Sequence, residues 1–216
     1  VPRLLIATNN QGKFREYRQL LENCGWELKS PSELGLSLSD EEVGETYEAN
    51  AKIKALNGAA ASGLLTLADD SGLEIDALPS ELGPRAARFL GRKASYLERF
   101  RVILKRLEGL SAAKRTARFR CVIALAGPQL QEVRFAEGSV EGIIAQEPRG
   151  EGGFGYDPIF HLPELDKTMA ELSAAEKNAI SHRASAVASA KHILKELLND
   201  RKRMSDPTDA AAASGL

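Results

Sequence analysis

The 216-residue chain predicts an α/β domain, and three observations carry that expectation. Residues 4–7 form a short apolar run that meets a polar turn. Phe14, Tyr17, Leu20 and Leu21 then recur at helical spacing, so the chain opens strand, turn, helix. Later apolar runs alternate with an alanine-rich helical stretch and a charged amphipathic one. The composition, 43% hydrophobic and 27% charged, suits one domain able to bury a substantial core.

Taken in order, residues 26–28 predict a second strand that stops at Ser30 and Pro31. Residues 46–62 predict an alanine-rich helix closed by Gly63. Residues 64–68 read as a buried strand and 96–107 as an amphipathic helix. Residues 116–126 and 133–144 read as two long strands, paired antiparallel about a Gly127-Pro128 turn. A last helix spans about 184–198, with Val187, Leu194, Leu197 and Leu198 toward the core. Segments 34–45 and 79–94 are connections long enough to be functional. No repeat or linker divides the chain, so residues 1–200 are expected to form a single domain. Residues 201–216, with Pro207 and an alanine run, read as a flexible tail.

Lys plus Arg number 29 against 30 Asp plus Glu, a net charge of -1, so no global basic field draws the chain to nucleic acid. Any anion site must be local. No apolar run approaches the roughly twenty residues that span a bilayer. Cys24 and Cys121 are far apart and form no CxxC, which suggests neither zinc nor a disulfide framework and suits a reduced, cytoplasmic setting.

Five segments carry chemistry. The first is Gly150-Glu-Gly-Gly-Phe154-Gly155-Tyr156-Asp157, whose glycines let a backbone approach a ligand while Phe154 and Tyr156 offer ring faces and Asp157 an acceptor. It satisfies G-x-G-x-x-G but lacks the flanking strand and helix of a dinucleotide fold. The second, Thr8-Asn9-Asn10-Gln11-Gly12-Lys13, sits at a strand-to-helix turn, where free amides and the helix dipole favour an anion and Lys13 adds a full charge. The third, Leu67-Ala-Asp69-Asp70-Ser71-Gly-Leu73, places two carboxylates and a hydroxyl where an apolar run stops, and strand alternation gives Asp69 and Asp70 different faces. An Asx turn before Gly72 is the alternative. Glu41, Glu42 and Glu45 precede the alanine-rich helix, whose Asn50 and Lys54 share one face. Last, Lys177, His182 and Arg183 gather donors at the start of the final helix, with Ser181 as its N-cap. Cations there oppose the dipole preference, a conflict that an acceptor-rich ligand would resolve.

Together these motifs closely resemble the inosine triphosphate pyrophosphatase family, the dITP/XTP pyrophosphatases. The resemblance rests on Thr8-Asn9-Asn10…Lys13, Glu48-Ala-Asn50…Lys54-Ala55, residues 67–73, residues 152–160 and Ser181-His-Arg-Ala184, in family order across residues 4–200. It implies an elongated two-lobed α/β fold around a long mixed sheet, with the active site in the cleft between lobes, and a homodimer dependent on Mg²⁺. It further implies hydrolysis of ITP, dITP and XTP to the monophosphate and pyrophosphate. Carried over by residue, Thr8, Asn9, Asn10, Gln11, Gly12, Lys13 and Lys54 would cradle the triphosphate. Asp70 would be the catalytic carboxylate and, with Glu42, a metal ligand. Ser71 would bind substrate. Phe154, Gly155, Tyr156, Asp157, Lys177, His182 and Arg183 would hold the base. A Maf-like pyrophosphatase for other nucleotides, or an idle nucleotide-binding protein, are the alternatives.

Overall fold

The computed structural model describes residues 1–38, 44–79 and 81–205. Strand β1 (Arg3–Ile6) leads into helix α1 (Gln11–Leu20), capped by Asn10, whose side chain accepts from the Lys13 amide at 3.1 Å. Strand β2 (Glu27–Lys29) follows, then α2 (Tyr47–Ser62), which Thr46 caps and a left-handed Gly63 ends. Strand β3 (Leu65–Ile75) precedes a 3-10 turn at Gly83–Arg88 and helix α3 (Tyr96–Arg106), which opens on a Ser95–Glu98 capping box. Strands β4 (Thr116–Ala126) and β5 (Arg134–Ile144) are the long pair expected. The chain closes with β6 (Phe160–Leu162), β7 (Lys167–Thr168), α4 (Ala174–Ile180) and α5 (His182–Ser205).

The sheet runs β2-β1-β3-β4-β5-β6-β7, parallel through β2-β1-β3 and antiparallel from β3 onward, so it is mixed. Alternation along each strand then sorts side chains between two layers. Leu4, Ile6, Leu65, Leu67, Cys121, Ile123 and Leu125 pack beneath α1 and α5. Leu5, Ala7, Ala68, Val122, Ala124 and Ala126 pack beneath the small residues of α2. A separate core gathers Leu73 and Ile75 from the far end of β3, Phe100 and Ile103 from α3, Phe119, Tyr156 and Phe160. Strands β3 to β5 thus run from one core into the other, which gives two lobes joined by continuous sheet.

The structure differs from the sequence reading in three places. Strand β3 does not stop at Ala68: Asp69, Asp70 and Ser71 lie within it, paired with Ile123, Val122 and Cys121, because each charge finds partners on its own face. The carboxyl-end rule survives in another form, since β1 ends at Ile6 opposite Leu67 and leaves Asp69 just beyond the parallel part of the sheet. The final helix reaches Ser205, five residues into the stretch read as tail, while 206–216 lie outside the described residues. Glu41 and Glu42 also lie outside them. The short β6, β7 and α4 were not expected.

Docking of α5 depends on Gly138. A methyl group there would stand 2.4 Å from the Ala186 amide nitrogen and 2.5 Å from the His182 carbonyl oxygen, both backbone. Gly138→Ala is expected to lower stability by about 1–3 kcal/mol, the usual cost of overpacking. Denaturant unfolding measures it, and an unchanged midpoint would mean that α5 does not press on β5 there.

Candidate active site

A cleft of about 440 Å³ lies between the lobes. Thr8, Asn9, Asn10 and Lys13 enter it from the β1–α1 turn, Lys54 from α2, Asp69 and Ser71 from β3, and Phe154, Gly155, Tyr156 and Asp157 from the glycine loop. Lys177, His182 and Arg183 complete the first-lobe side, and Ala86, Ala87, Arg88, Arg92 and Tyr96 face them from the second lobe. Segments up to 176 residues apart in sequence therefore converge (183 against 7). Gln11, Gly12 and Asp70 are not among the residues that line the cleft. Gln11 is exposed, and Gly12 packs so closely on Phe154 that a methyl group would come 2.8 Å from its ring.

The adjacent aspartates separate as strand parity requires. Asp69 faces α1 and α5, where its Oδ2 accepts from Lys13 Nζ at 2.9 Å and lies 3.6 Å from Arg183 Nη2. Burial alone would push its carboxyl up, but Lys13, then Arg183 and Lys54, outweigh that and hold it well below the usual carboxylate range. Asp70 faces α2 and is 2% exposed. It accepts from Asn50 Nδ2 at 2.9 Å and Lys54 Nζ at 3.4 Å. Asn50 Oδ1 is itself taken by the Gly44 amide at 2.8 Å, which turns the amide nitrogen toward Asp70.

Glu16 is the residue that sequence reasoning missed. It stands one turn after Lys13 on α1 and joins two buried cations, Lys177 Nζ at 2.9 Å and Arg183 Nη1 through a very short contact. Lys177 also donates to Asp157 Oδ2 at 2.5 Å, and Arg183 Nη2 to Ser71 Oγ at 3.0 Å. Charges thus alternate along Asp157, Lys177, Glu16, Arg183, Asp69 and Lys13. Lys177 at the end of α4 and Arg183 at the start of α5 are balanced by carboxylates from α1, β3 and the glycine loop, so the dipole conflict is resolved inside the fold. The Lys13–Glu16 spacing of three, one helix face, was the available signal. Burial opposes the charge on Arg183, but Asp69 and then Glu16 raise its pKa and keep it ionised.

The glycine loop is organised by its own carboxylate. Asp157 accepts from the Phe154 amide at 2.9 Å, and a side chain at Gly153, whose φ is 69°, would collide with that carboxylate. Asp157 is 3% exposed, and its Oδ2 both closes the turn and holds Lys177. Tyr156 departs from the stacking role: it is 5% exposed, donates its hydroxyl to the Ala86 carbonyl at 2.7 Å, and meets Tyr96 edge-on at 5.2 Å. Its ring belongs to the second core. Phe154, half-buried, keeps the ring in the cleft, with Lys177 Nζ 4.6 Å and Arg183 Cζ 5.5 Å from its centroid.

His182 stacks on Phe119 at 4.9 Å, and burial, then Arg183, depress its pKa well below the ordinary histidine value, so it is neutral. Its Nδ1 and Arg183 Nε are buried without a hydrogen-bond partner among the described residues. Ser181 caps α5, accepting from the Ala184 amide at 3.2 Å. Cys121 contacts Asp69 at 3.8 Å, and burial, then Asp69, push its thiol up to about 12, which leaves it unreactive. Among the described residues no group of three or more His, Cys, Asp or Glu is placed to hold a metal.

Asp69→Asn is expected to cost about 3 kcal/mol at neutral pH, since it strands Lys13 and Arg183 in a buried setting. The sign with pH follows from the depressed carboxyl. Its contribution is whole above the unfolded value near pH 4 and is lost as pH falls through the lower folded value. Unfolding of both proteins across pH 2–7 should show the difference shrinking in acid. A constant difference would contradict the assignment.

Comparison with known proteins fits this geometry. The Ham1 family model matches residues 4–193. A dITP/XTP pyrophosphatase of Bacillus licheniformis is 47% identical over 85% of this chain and 93% of its own length, and one of Desulforamulus reducens is 48% identical over 90% and 96%. Among solved structures, a HAM1 protein from Coxiella burnetii superposes with a TM-score of 0.81 at 41% identity, covering 91% of this chain and all of that one. Sequence and fold agree, and the chain belongs to the Ham1 family.

Proposed function

We propose that this chain is a nucleoside-triphosphate pyrophosphatase that hydrolyses the deaminated purine nucleotides ITP, dITP and XTP to the monophosphate and pyrophosphate. The observation that carries the reading is one cleft holding an anion-ready turn with Lys13 and Lys54 beside a half-buried phenylalanine ring and the His182–Arg183 pair. The relatives' names support it, since both bacterial proteins are dITP/XTP pyrophosphatases.

In this reading, water attacks the α-phosphorus, the bond to the bridging oxygen breaks, and pyrophosphate leaves. Asp70, held by Asn50 and Lys54, orients the water and takes its proton. Amides of the Thr8–Lys13 turn, with the Lys13 and Lys54 ammonium groups, stabilise the charge gathering on the departing pyrophosphate. Mg²⁺ fits the donors present, because it commonly binds through one or two carboxylates plus substrate phosphates. Asp70 would hold it, with Glu42 as a second ligand, and when bound it offsets phosphate charge.

Base choice follows from counting donors and acceptors. Hypoxanthine and xanthine present a 6-oxo acceptor and an N1–H donor, whereas adenine presents the reverse. The Arg183 Nε–H is a buried donor in want of an acceptor, and neutral His182 offers one donor and one acceptor. Adenine against such groups leaves polar atoms unpaired, at about 1–3 kcal/mol for each. A homodimer in the cytoplasm, built on a single domain over residues 1–200, completes the proposal. Among the described residues no helix is long and apolar enough to cross a membrane.

The test is pyrophosphate release with Mg²⁺ across a panel of ITP, dITP, XTP, ATP, GTP, dUTP and dTTP, for the wild type and Asp70→Asn. The deaminated purines should be preferred, and the variant should keep its fold while losing nearly all turnover. Preference for dUTP or dTTP would favour a different pyrophosphatase, and near-normal turnover of Asp70→Asn would remove that residue from the chemistry.

A further inference from the structure

The connection spanning the 3-10 turn and the start of α3 has no part in the reaction as described, yet it forms the second-lobe wall of the cleft. It brings Arg88 and Arg92 there. The cations on the opposite wall are each matched by a carboxylate: Lys13 and Arg183 on Asp69, Lys54 on Asp70, Lys177 on Asp157. Arg88 is also engaged within the protein. Arg92 is the cleft-lining cation with no hydrogen bond or ion pair to the described residues.

Its position is nevertheless built. Leu90 and Gly91 take left-handed backbone angles, φ of 63° and 90°, and for a leucine that conformation persists only where the surroundings impose it. Arg99 imposes it. This arginine is 3% exposed and donates Nε to the Phe89 carbonyl at 2.9 Å and Nη2 to the Gly91 carbonyl at 3.1 Å. The Gly91 amide donates to the Arg88 carbonyl at 2.7 Å, and the Ser95 capping box fixes the far end of the turn. Two hydrogen bonds from a buried arginine and a strained leucine are thus used to place one exposed guanidinium at the cleft.

We infer that Arg92 is a phosphate-binding residue, meeting the nucleotide's phosphate chain from the second lobe while Lys13 and Lys54 hold it from the first. The inference rests on the pyrophosphatase reading of the same cleft. A guanidinium presents a planar fork matched to phosphate oxygens, and in a chain of net charge -1 a polyanion must be drawn by local positive charge. The clamp would also give the second lobe a direct grip on the substrate.

The experiment uses inorganic tripolyphosphate, which carries no base or sugar, alongside ITP. Its dissociation constant by calorimetry and the KM for ITP are measured for the wild type, Arg92→Ala and Arg92→Lys, with thermal midpoints as a check on folding. Arg92→Ala should weaken tripolyphosphate about tenfold and raise the KM for ITP, and Arg92→Lys should recover part of the loss by charge without the fork. An alanine variant that binds tripolyphosphate as the wild type does would overturn the inference, whatever happens to ITP. A wild type that neither turns over ITP nor binds tripolyphosphate would instead remove the pyrophosphatase reading beneath it.

Discussion

The alternating chain of charge through Asp157, Lys177, Glu16, Arg183, Asp69 and Lys13 is the constraint on which the cleft depends. Three cations buried together would expel one another or lose their protons. Interleaved carboxylates remove that penalty and fix where each nitrogen points. The carboxylates come from α1, β3 and the glycine loop, and the cations from α1, α4 and α5, so the network also ties these segments into one site. Its cost is sensitivity, because removal of any member leaves a buried charge uncompensated.

Strand parity distributes the remaining work. Asp69 belongs to the layer under α1 and α5 and is spent on the cations there, whereas Asp70, one residue on, belongs to the α2 layer with Asn50 and Lys54. A carboxylate neutralised by several cations makes a poor proton acceptor but a good structural centre. Asp70 accepts from Asn50 at 2.9 Å and from Lys54 at 3.4 Å, and the proposed mechanism gives it the proton transfer.

Much of this was legible in the sequence. Gly63 as the end of α2, Ser181 as the cap of α5, the β4–β5 pair and the different faces of Asp69 and Asp70 all follow from local patterns that the fold obeys. The reach of β3 was not, because a run of charged residues reads as a strand end unless buried partners for each face are known. Those partners lie up to 114 residues away (183 against 69). Helix α4 was missed although Ser173 and Glu176 form its capping box. Lys177 to Arg183 reads as one donor run, yet Ser181 breaks it, so Lys177 ends one helix and His182 begins the next. Tyr156 and Asp157 line the cleft, yet both are buried, the ring packed into the second core and the carboxylate bonded to Lys177, and composition does not reveal that burial.

Internal carboxylates, Glu16 above all, set the geometry of Lys177 and Arg183, the cations proposed to meet the base. The most direct measurement is kcat/KM for ITP and for ATP in the wild type and in Glu16→Gln, which keeps the shape and removes the charge between Lys177 and Arg183. The account predicts a folded protein whose ITP-over-ATP ratio falls by about tenfold, since discrimination is a difference in transition-state binding. A folded Glu16→Gln protein with the wild-type ratio would contradict it.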